Sequence, residues 1–112
     1  MGHAREKEPC PGLPGLIQAL TRASRRWGAS FRVNPEATEK DWRSALGRIE
    51  DRRRRILELR FGLGGSPPMT LKQVGELFSL TRERIRQIQD SALWRLKRVG
   101  SEMGLLRKGL QK

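Results

Sequence analysis

The chain has too few cysteines and histidines for the common kinds of chemical site. Its single cysteine, Cys10, cannot form a disulfide within the chain, and its single histidine, His3, leaves no zinc-binding set. One histidine near a chain end cannot build a catalytic triad or a Cys–His pair either. These shortages argue against disulfide-stapled, zinc-stabilised and nucleophilic-enzyme classes, and a reduced, cytoplasmic setting fits the cysteine usage best.

Apolar residues are also scarce. Hydrophobic residues make up 36% of the 112-residue chain, aromatic residues make up 5%, and tyrosine is absent. A globular domain usually holds ~45–50% apolar residues, so we expect a small core and no large apolar catalytic cavity. No apolar run is long enough to span a membrane, and clustered carboxylates for a metal-dependent nuclease are missing. We therefore expect a protein that is not an enzyme, with no metal, no cofactor and no membrane partner.

What the chain has in excess is positive charge. Its 24 lysine and arginine residues outnumber 12 acidic residues, which gives a net charge of +12. Half of this excess lies in residues 81–112. Such a charge attracts polyanions, and nucleic acid is favoured over an anionic membrane or a merely solvated surface.

Residues 1–37 are predicted to form a partly disordered extension or linker outside the core. Prolines and glycines interrupt any long periodic segment there, so we expect at most one short helix, over about 16–27. The stretch 16–32 also has features of an organelle transit peptide, but Glu6 and Glu8 ahead of it argue against that interpretation. At the other end, residues 101–112 are predicted to form a basic tail.

Four helices are predicted over residues 38–100, and no segment alternates as a strand would. Capping-box pairs, Thr38 with Asp41 and Thr70 with Gln73, mark two of the helix starts. The first helix is expected to begin after Thr38. The second should begin at Asp51 and cover 51–61, the third should begin after Thr70 and cover 71–78, and the fourth should begin after Thr81 and cover about 82–98. The predicted fold class is therefore all-α, a small four-helix domain preceded by the extension.

The last two predicted helices have the spacing of a helix-turn-helix. Only a short turn, with Ser79 and Leu80, separates them, so they must cross steeply. Gly75 lies where the second helix would cross the first, and it costs ~1 kcal/mol of helix propensity relative to alanine, which indicates a packing reason for it. The second helix carries an apolar stripe that should face the core, made of Ile85, Ile88, Ala92, Leu96 and Val99.

The outward face of this second helix offers side chains that read DNA bases. Arginine pairs with guanine, glutamate accepts from cytosine and glutamine pairs with adenine, and a recognition helix contacts bases mostly through its N-terminal residues. The base-reading candidates are Arg82, Glu83, Arg86 and Gln87. A solvated helix face, with Glu83 paired to Arg86 or Gln87, is the alternative interpretation.

The segment resembles region 4 of primary-type bacterial RNA polymerase sigma factors. The resemblance rests on residues 55–63, 69–78 and 80–88, above all on the run TRERIRQI at 81–88. It implies a helix-turn-helix that reads the minus-35 promoter element in the major groove and docks on RNA polymerase core in the bacterial cytoplasm. By likeness, the neighbourhood that docks on the β-subunit flap contains Leu46, Ile49, Ile56, Leu57 and Leu59.

Contacts to the DNA backbone are expected from a second group of residues. Arg84 matches a family arginine near the backbone, while Arg95, Lys97, Arg98 and the arginine run 52–55 are candidates from their density and expected exposure. Thr70 and Thr81, at the starts of the two helices, complete the set of backbone candidates.

The middle of the second helix departs from the family pattern. Residues 89–91 lack a lysine that the family commonly has, Trp94 replaces a commonly basic residue, and Ser79 replaces the usual turn glycine at some conformational cost. We expect Trp94 to pack against the C-terminal tail or else to contact a partner. These departures keep open an alternative function, a module that binds polymerase or a transcription regulator with little DNA binding.

Two further expectations concern scope. An anti-sigma or activator protein is a further candidate partner. Nothing in residues 1–40 resembles the sigma regions that bind the minus-10 element, so we expect either an excised domain or a stand-alone region-4-like protein.

Overall fold

The computed structural model describes residues 12–28, 30–65 and 67–108. Within these ranges the chain forms five helices and two short strands: α1 Gly12–Arg26, β1 Phe31–Val33, α2 Glu39–Leu46, α3 Asp51–Phe61, α4 Leu71–Phe78, α5 Arg82–Glu102 and β2 Leu106–Lys108. The all-α fold class is confirmed, and the four predicted helices are α2 to α5. Predictions for residues 1–11 and 109–112, His3 and Cys10 included, lie outside the described residues.

Threonine side chains cap three of the helices, α2, α4 and α5, as predicted. The Thr38 hydroxyl accepts from the Asp41 N–H at 3.2 Å, and the Asp41 carboxylate accepts from the Thr38 N–H at 2.9 Å. Thr70 and Gln73 form the same reciprocal pair at 3.1 and 2.9 Å, and Thr81 caps α5. Each cap satisfies N–H groups that have no partner within the helix, so these helix starts are encoded locally.

Helix α5 is the element on which the others pack. One cluster of buried side chains joins α5 to α1, α2 and α3 and includes Trp42, Leu57 and Leu96. A second cluster joins α5 to α3 and α4: Ile56, Leu59, Val74, Ile85 and Ile88. The apolar stripe predicted for α5 is buried along its whole length. The position of α5 is therefore set by both clusters.

Helix α1 belongs to the larger cluster, so the prediction that residues 1–37 lie outside the core is wrong for the described part of that segment. Leu16, Leu20 and Ala23 are buried, and α1 packs against α3 and α5. Proline does not prevent this helix because Pro14 lies in the first turn, where a missing N–H leaves no helical bond unmade.

A two-stranded antiparallel sheet joins the two ends of the fold, although no strand was expected. Phe31 of β1 lies opposite Lys108 of β2, and Leu106 is buried in the larger cluster. Helix α5 also continues past its predicted end near Arg98. The described part of the expected tail 101–112 is therefore folded; three-residue strands are too short to show the alternation that predicts a strand.

Candidate nucleic-acid interface

Helices α4 and α5 approach each other closely at Gly75. A Cβ atom built on Gly75 would lie 2.6 Å from the carbonyl oxygen of Leu80, closer than side chains pack. The Leu80 N–H donates to the Gly75 carbonyl at 2.9 Å, and Ser79 adopts the left-handed conformation with φ of 57°. The helix-turn-helix predicted from spacing is present, and this tight turn sets the direction in which α5 leaves α4.

The predicted base-reading side chains lie together on the first two turns of α5. Arg82, Glu83, Arg86 and Gln87 are all exposed, while Ile85 between them is fully buried in the smaller cluster. Because residues three and four apart share a helix face, the four side chains form one strip. This strip offers both donors and acceptors to a ligand.

Two carboxylates hold the guanidinium of Arg86. Its Nη2 lies 2.7 Å from Glu83 Oε2, and its Nη1 lies 3.1 Å from Asp90 Oδ2. The hydrogen bond from Arg86, with its positive charge, lowers the pKa of Glu83, and the same bond raises the pKa of Arg86. The ion pair between Glu83 and Arg86, which the alternative interpretation of a solvated helix face predicts, is therefore present. Exposed ion pairs contribute little net stability, so they can be exchanged for contacts to bases.

The candidate backbone contacts surround this strip. The hydroxyls of Thr70 and Thr81 accept backbone N–H groups at the starts of α4 and α5, and each keeps its own proton for an anion oxygen. Helix N-termini also favour phosphate. Arg84, Arg95 and Arg98 are exposed on α5. The three arginine side chains are therefore accessible to a DNA backbone, and each of the two threonines has a hydroxyl proton that it can donate to a phosphate.

Other basic candidates are engaged within the chain. In the run 52–55, the last three arginines, Arg53, Arg54 and Arg55, pair with Glu50, Asp51 and Glu58 at 3.2, 2.8 and 3.6 Å. The ammonium of Lys97 lies over two aromatic rings, 4.1 and 5.0 Å from their centroids. The pairs of the run 52–55 can be exchanged for phosphate contacts in the same way as those of Arg86. Lys97 is only partly exposed, which makes it a weaker candidate than the exposed arginines of α5.

The end of α1 packs on the middle of α5. Arg26 Nη2 lies 2.9 Å from Asp90 Oδ1, and the rings of Trp27 and Trp94 meet edge to face with centroids 5.1 Å apart. Trp94 was expected to pack against the C-terminal tail or to contact a partner, but the aromatic partner that the structure shows for it lies just after α1. Two of the mid-helix departures from the family pattern, Asp90 and Trp94, are thus residues that hold the N-terminal segment.

Two arginines that no sequence pattern singled out position the interface. Arg60 of α3 donates to the Gln89 side chain at 2.9 Å and to the Met69 carbonyl at 2.8 Å, which ties α5 to α3 and to the segment before α4. Arg26 ties α5 to α1. Their partners on α5 lie 29 and 64 residues away in sequence, so no local signal could have found them.

The residues expected at a polymerase-docking surface are buried. Leu46, Ile49, Ile56, Leu57 and Leu59 are at most 8% exposed, and all but Ile56 and Leu59 belong to the larger cluster. They form the core and do not themselves offer an apolar surface, since their helical spacing reflects inward packing. A cavity of about 250 Å³ opens beside Leu46, and it is lined by Gly12, Leu13, Glu39, Arg43, Leu46, Gly62, Leu63 and Gly65.

The described residues contain no group of three or more histidine, cysteine or acidic side chains placed to hold a metal ion. No helix among them has the length and apolar character needed to cross a membrane.

Fold and site define a helix-turn-helix domain whose second helix, α5, exposes the side chains that were predicted to read bases. Residues 45–98 match the family model of Sigma-70, region 4. The predicted resemblance is confirmed. Region 4 of sigma factors is non-enzymatic, in agreement with the prediction that the chain is not an enzyme.

Three relatives illustrate the match. The chain is 40% identical over 63 residues to RNA polymerase sigma factor sigF, chloroplastic, of Arabidopsis thaliana, covering 56% of this chain and 12% of that protein. It is 42% identical over 59 residues to RNA polymerase principal sigma factor HrdD of Streptomyces griseus, covering 53% and 18%. It is 38% identical over 65 residues to RNA polymerase sigma factor SigA of Microcystis aeruginosa, covering 58% and 16%. The match thus spans less than a fifth of each relative.

Proposed function

We propose that this chain binds promoter DNA at the minus-35 element, with the N-terminal half of α5 in the major groove. The observation that carries the proposal is the exposed strip of Arg82, Glu83, Arg86 and Gln87 on a helix held by a helix-turn-helix. The major groove of B-DNA is ~12 Å wide and admits one α-helix. The match of residues 45–98 to the family model of Sigma-70, region 4, supports the same function.

Within this proposal, the first two residues of the strip, Arg82 and Glu83, and the last two, Arg86 and Gln87, have different roles. Arg82 donates to guanine and Glu83 accepts from the paired cytosine, which together select a G·C pair. Arg86 and Gln87 contact the next bases or phosphates after Arg86 exchanges its carboxylate partners. The proposed backbone contacts are Thr70, Thr81, Arg84, Arg95 and Arg98, with Lys97 as a weaker one.

Arg82→Ala tests the base-reading role. We expect a loss of ~1–3 kcal/mol on a minus-35 duplex and little loss on a scrambled duplex of equal length. Fluorescence anisotropy titrations at physiological salt measure both affinities. Arg43→Ala is the matched control because it removes the same charge from α2, where Arg43 is exposed and paired with Glu39 at 2.8 Å. Equal losses on both duplexes, or a wild type that does not discriminate between them, would contradict the proposal.

RNA polymerase core, through the β-subunit flap, is the second proposed partner. The five expected docking residues are buried, so we place the contact at the cavity beside Leu46, where Leu13 and Leu63 add apolar lining. Arg43→Glu changes the charge at the rim of this cavity and should weaken binding to purified core polymerase at least several-fold. Lys40→Glu, exposed on the same helix but outside the cavity, is the control. Equal affinities for the two variants would reject this location.

The alternative, a polymerase- or regulator-binding module with little DNA binding, has less support. The departures Asp90, Ser91 and Trp94 favour it, but two of them, Asp90 and Trp94, have partners within the chain, Arg26 and Trp27. A gel shift with a minus-35 duplex separates the two functions, since only the DNA-binding function predicts a retarded band. An anti-sigma or activator protein remains a further proposed partner, and the bacterial cytoplasm the proposed location.

A further inference from the structure

The exposed side of α1 carries only positive charge. Helix α1 contains no acidic residue, and its second half carries Arg22, Arg25 and Arg26, all exposed. Burial of Leu16 and Leu20 places Arg22 and Arg25 on the opposite, solvent side of the helix. Among the described residues, neither Arg22 nor Arg25 has an ion-pair partner. Their charges are thus available to a polyanion.

This basic patch lies beside the proposed reading face and is held there. One carboxylate, Asp90, binds both Arg26 of α1 and Arg86 of the base-reading strip, at 2.9 and 3.1 Å. The two guanidinium groups therefore flank the same side chain. Burial of Leu20 and the contact between Trp27 and Trp94 fix the end of α1 in this position. Its charges are thereby pre-positioned rather than carried on a loose tail.

A duplex that admits the start of α5 brings phosphates to the sides of that helix. In helix-turn-helix proteins the recognition helix lies in the groove, and neighbouring elements contact the bordering backbone. On the α1 side of α5, Arg26 reaches Asp90, and Arg22 and Arg25 lie on the same helix within about one turn of Arg26. No carboxylate of α1 opposes them.

We infer that the basic end of α1 binds the DNA backbone that borders the groove occupied by α5, with Arg22 and Arg25 as phosphate contacts. This inference rests on the proposed DNA-binding function and extends the DNA-binding surface to a helix outside residues 45–98. These contacts add affinity without base selectivity because phosphates carry no sequence information.

The expected effect appears in the salt dependence of binding. Each phosphate contact adds about 0.9 to the magnitude of the slope of log affinity against log salt concentration. Loss of both contacts should lower that magnitude by about 1.8. Between about 50 and 200 mM salt, the double variant would then lose roughly twelvefold less affinity than the wild type.

The experiment compares wild type, Arg22→Gln, Arg25→Gln, the double variant and Lys40→Gln, each as the full chain, by anisotropy titration over a range of salt concentrations. Lys40→Gln is the matched control. It removes one exposed charge from α2, which packs near Gly100, about 15 Å along α5 from Asp90. We expect each α1 substitution to lower the magnitude of the salt slope by about 0.9. The ratio of the affinity for the minus-35 duplex to the affinity for the scrambled duplex should stay unchanged.

Two results would overturn the inference. One is a double variant with the same slope as Lys40→Gln, and the other is a double variant that binds DNA more tightly than wild type, which would mean that α1 obstructs the duplex. The proposed function is judged separately, from the selectivity of the wild type. A selective wild type whose slope does not respond to Arg22 and Arg25 refutes only the role of α1. A wild type without selectivity refutes base reading, and the slopes still decide whether α1 contacts phosphate.

Discussion

Leu20→Ala tests whether α1 is an integral part of the core. Leu20 is 1% exposed and lies in the larger cluster. Truncation removes about three buried carbon groups, worth ~0.8 kcal/mol each, and the cavity left behind raises the total to about 3–4 kcal/mol. Since small domains are stable by ~5–15 kcal/mol, this loss would shift the unfolding transition strongly.

Leu77→Ala is the matched control, because it makes the same chemical change on a helix at a leucine that is 61% exposed. Its expected effect is within about 0.5 kcal/mol. Urea unfolding followed by far-UV circular dichroism measures both variants, and the midpoint should fall only for Leu20→Ala. If the two midpoints move equally little, α1 does not belong to the folding unit, and the argument from burial fails.

Three further predictions concern the turn and the strip. Gly75→Ala should destabilise the fold by about 1–3 kcal/mol despite the better helix propensity of alanine, because the new Cβ meets the Leu80 carbonyl oxygen; a raised urea midpoint would contradict the close crossing. Ser79→Gly should stabilise it by about 1 kcal/mol, since glycine adopts the left-handed conformation without strain; a lower midpoint would count against that strain. The Glu83 pKa is lowered in the fold, so its stabilising contribution is complete above the unfolded value and is lost as the pH falls through the folded value. Carboxyl NMR titration should therefore give a Glu83 midpoint below the ordinary pKa of a glutamate, and a midpoint above that ordinary value would rule out the Arg86 pairing.

Local features of the fold were predictable from the sequence. The caps at Thr38 and Thr70 need only a partner three residues away, and the role of Gly75 follows from its cost in a helix beside a two-residue turn. The apolar stripe of α5 repeats at helical spacing and so marks its buried face. For these elements, the information lies within one or two turns of the chain.

The non-local features could not be predicted in the same way. Arg26 and Asp90 meet across 64 residues of chain, and neither residue type indicates its partner. The proline and glycine content before residue 37 favoured an extension, yet Pro14 lies where a helix tolerates proline. The residues around Leu46 were expected near a docking surface by likeness to the family, and such a likeness does not show which apolar side chains the rest of this chain buries.

The extent of the larger cluster has a practical consequence for the design of shorter fragments of this protein. A fragment cut to residues 45–98 would retain the family match but lose α1, Trp42 and Leu106, which cover one side of α5. That side would become a solvent-exposed apolar surface, and surfaces of this kind promote self-association and poor solubility. Expression boundaries should therefore follow the packing, from Gly12 or earlier through β2, rather than the shorter block that relatives share.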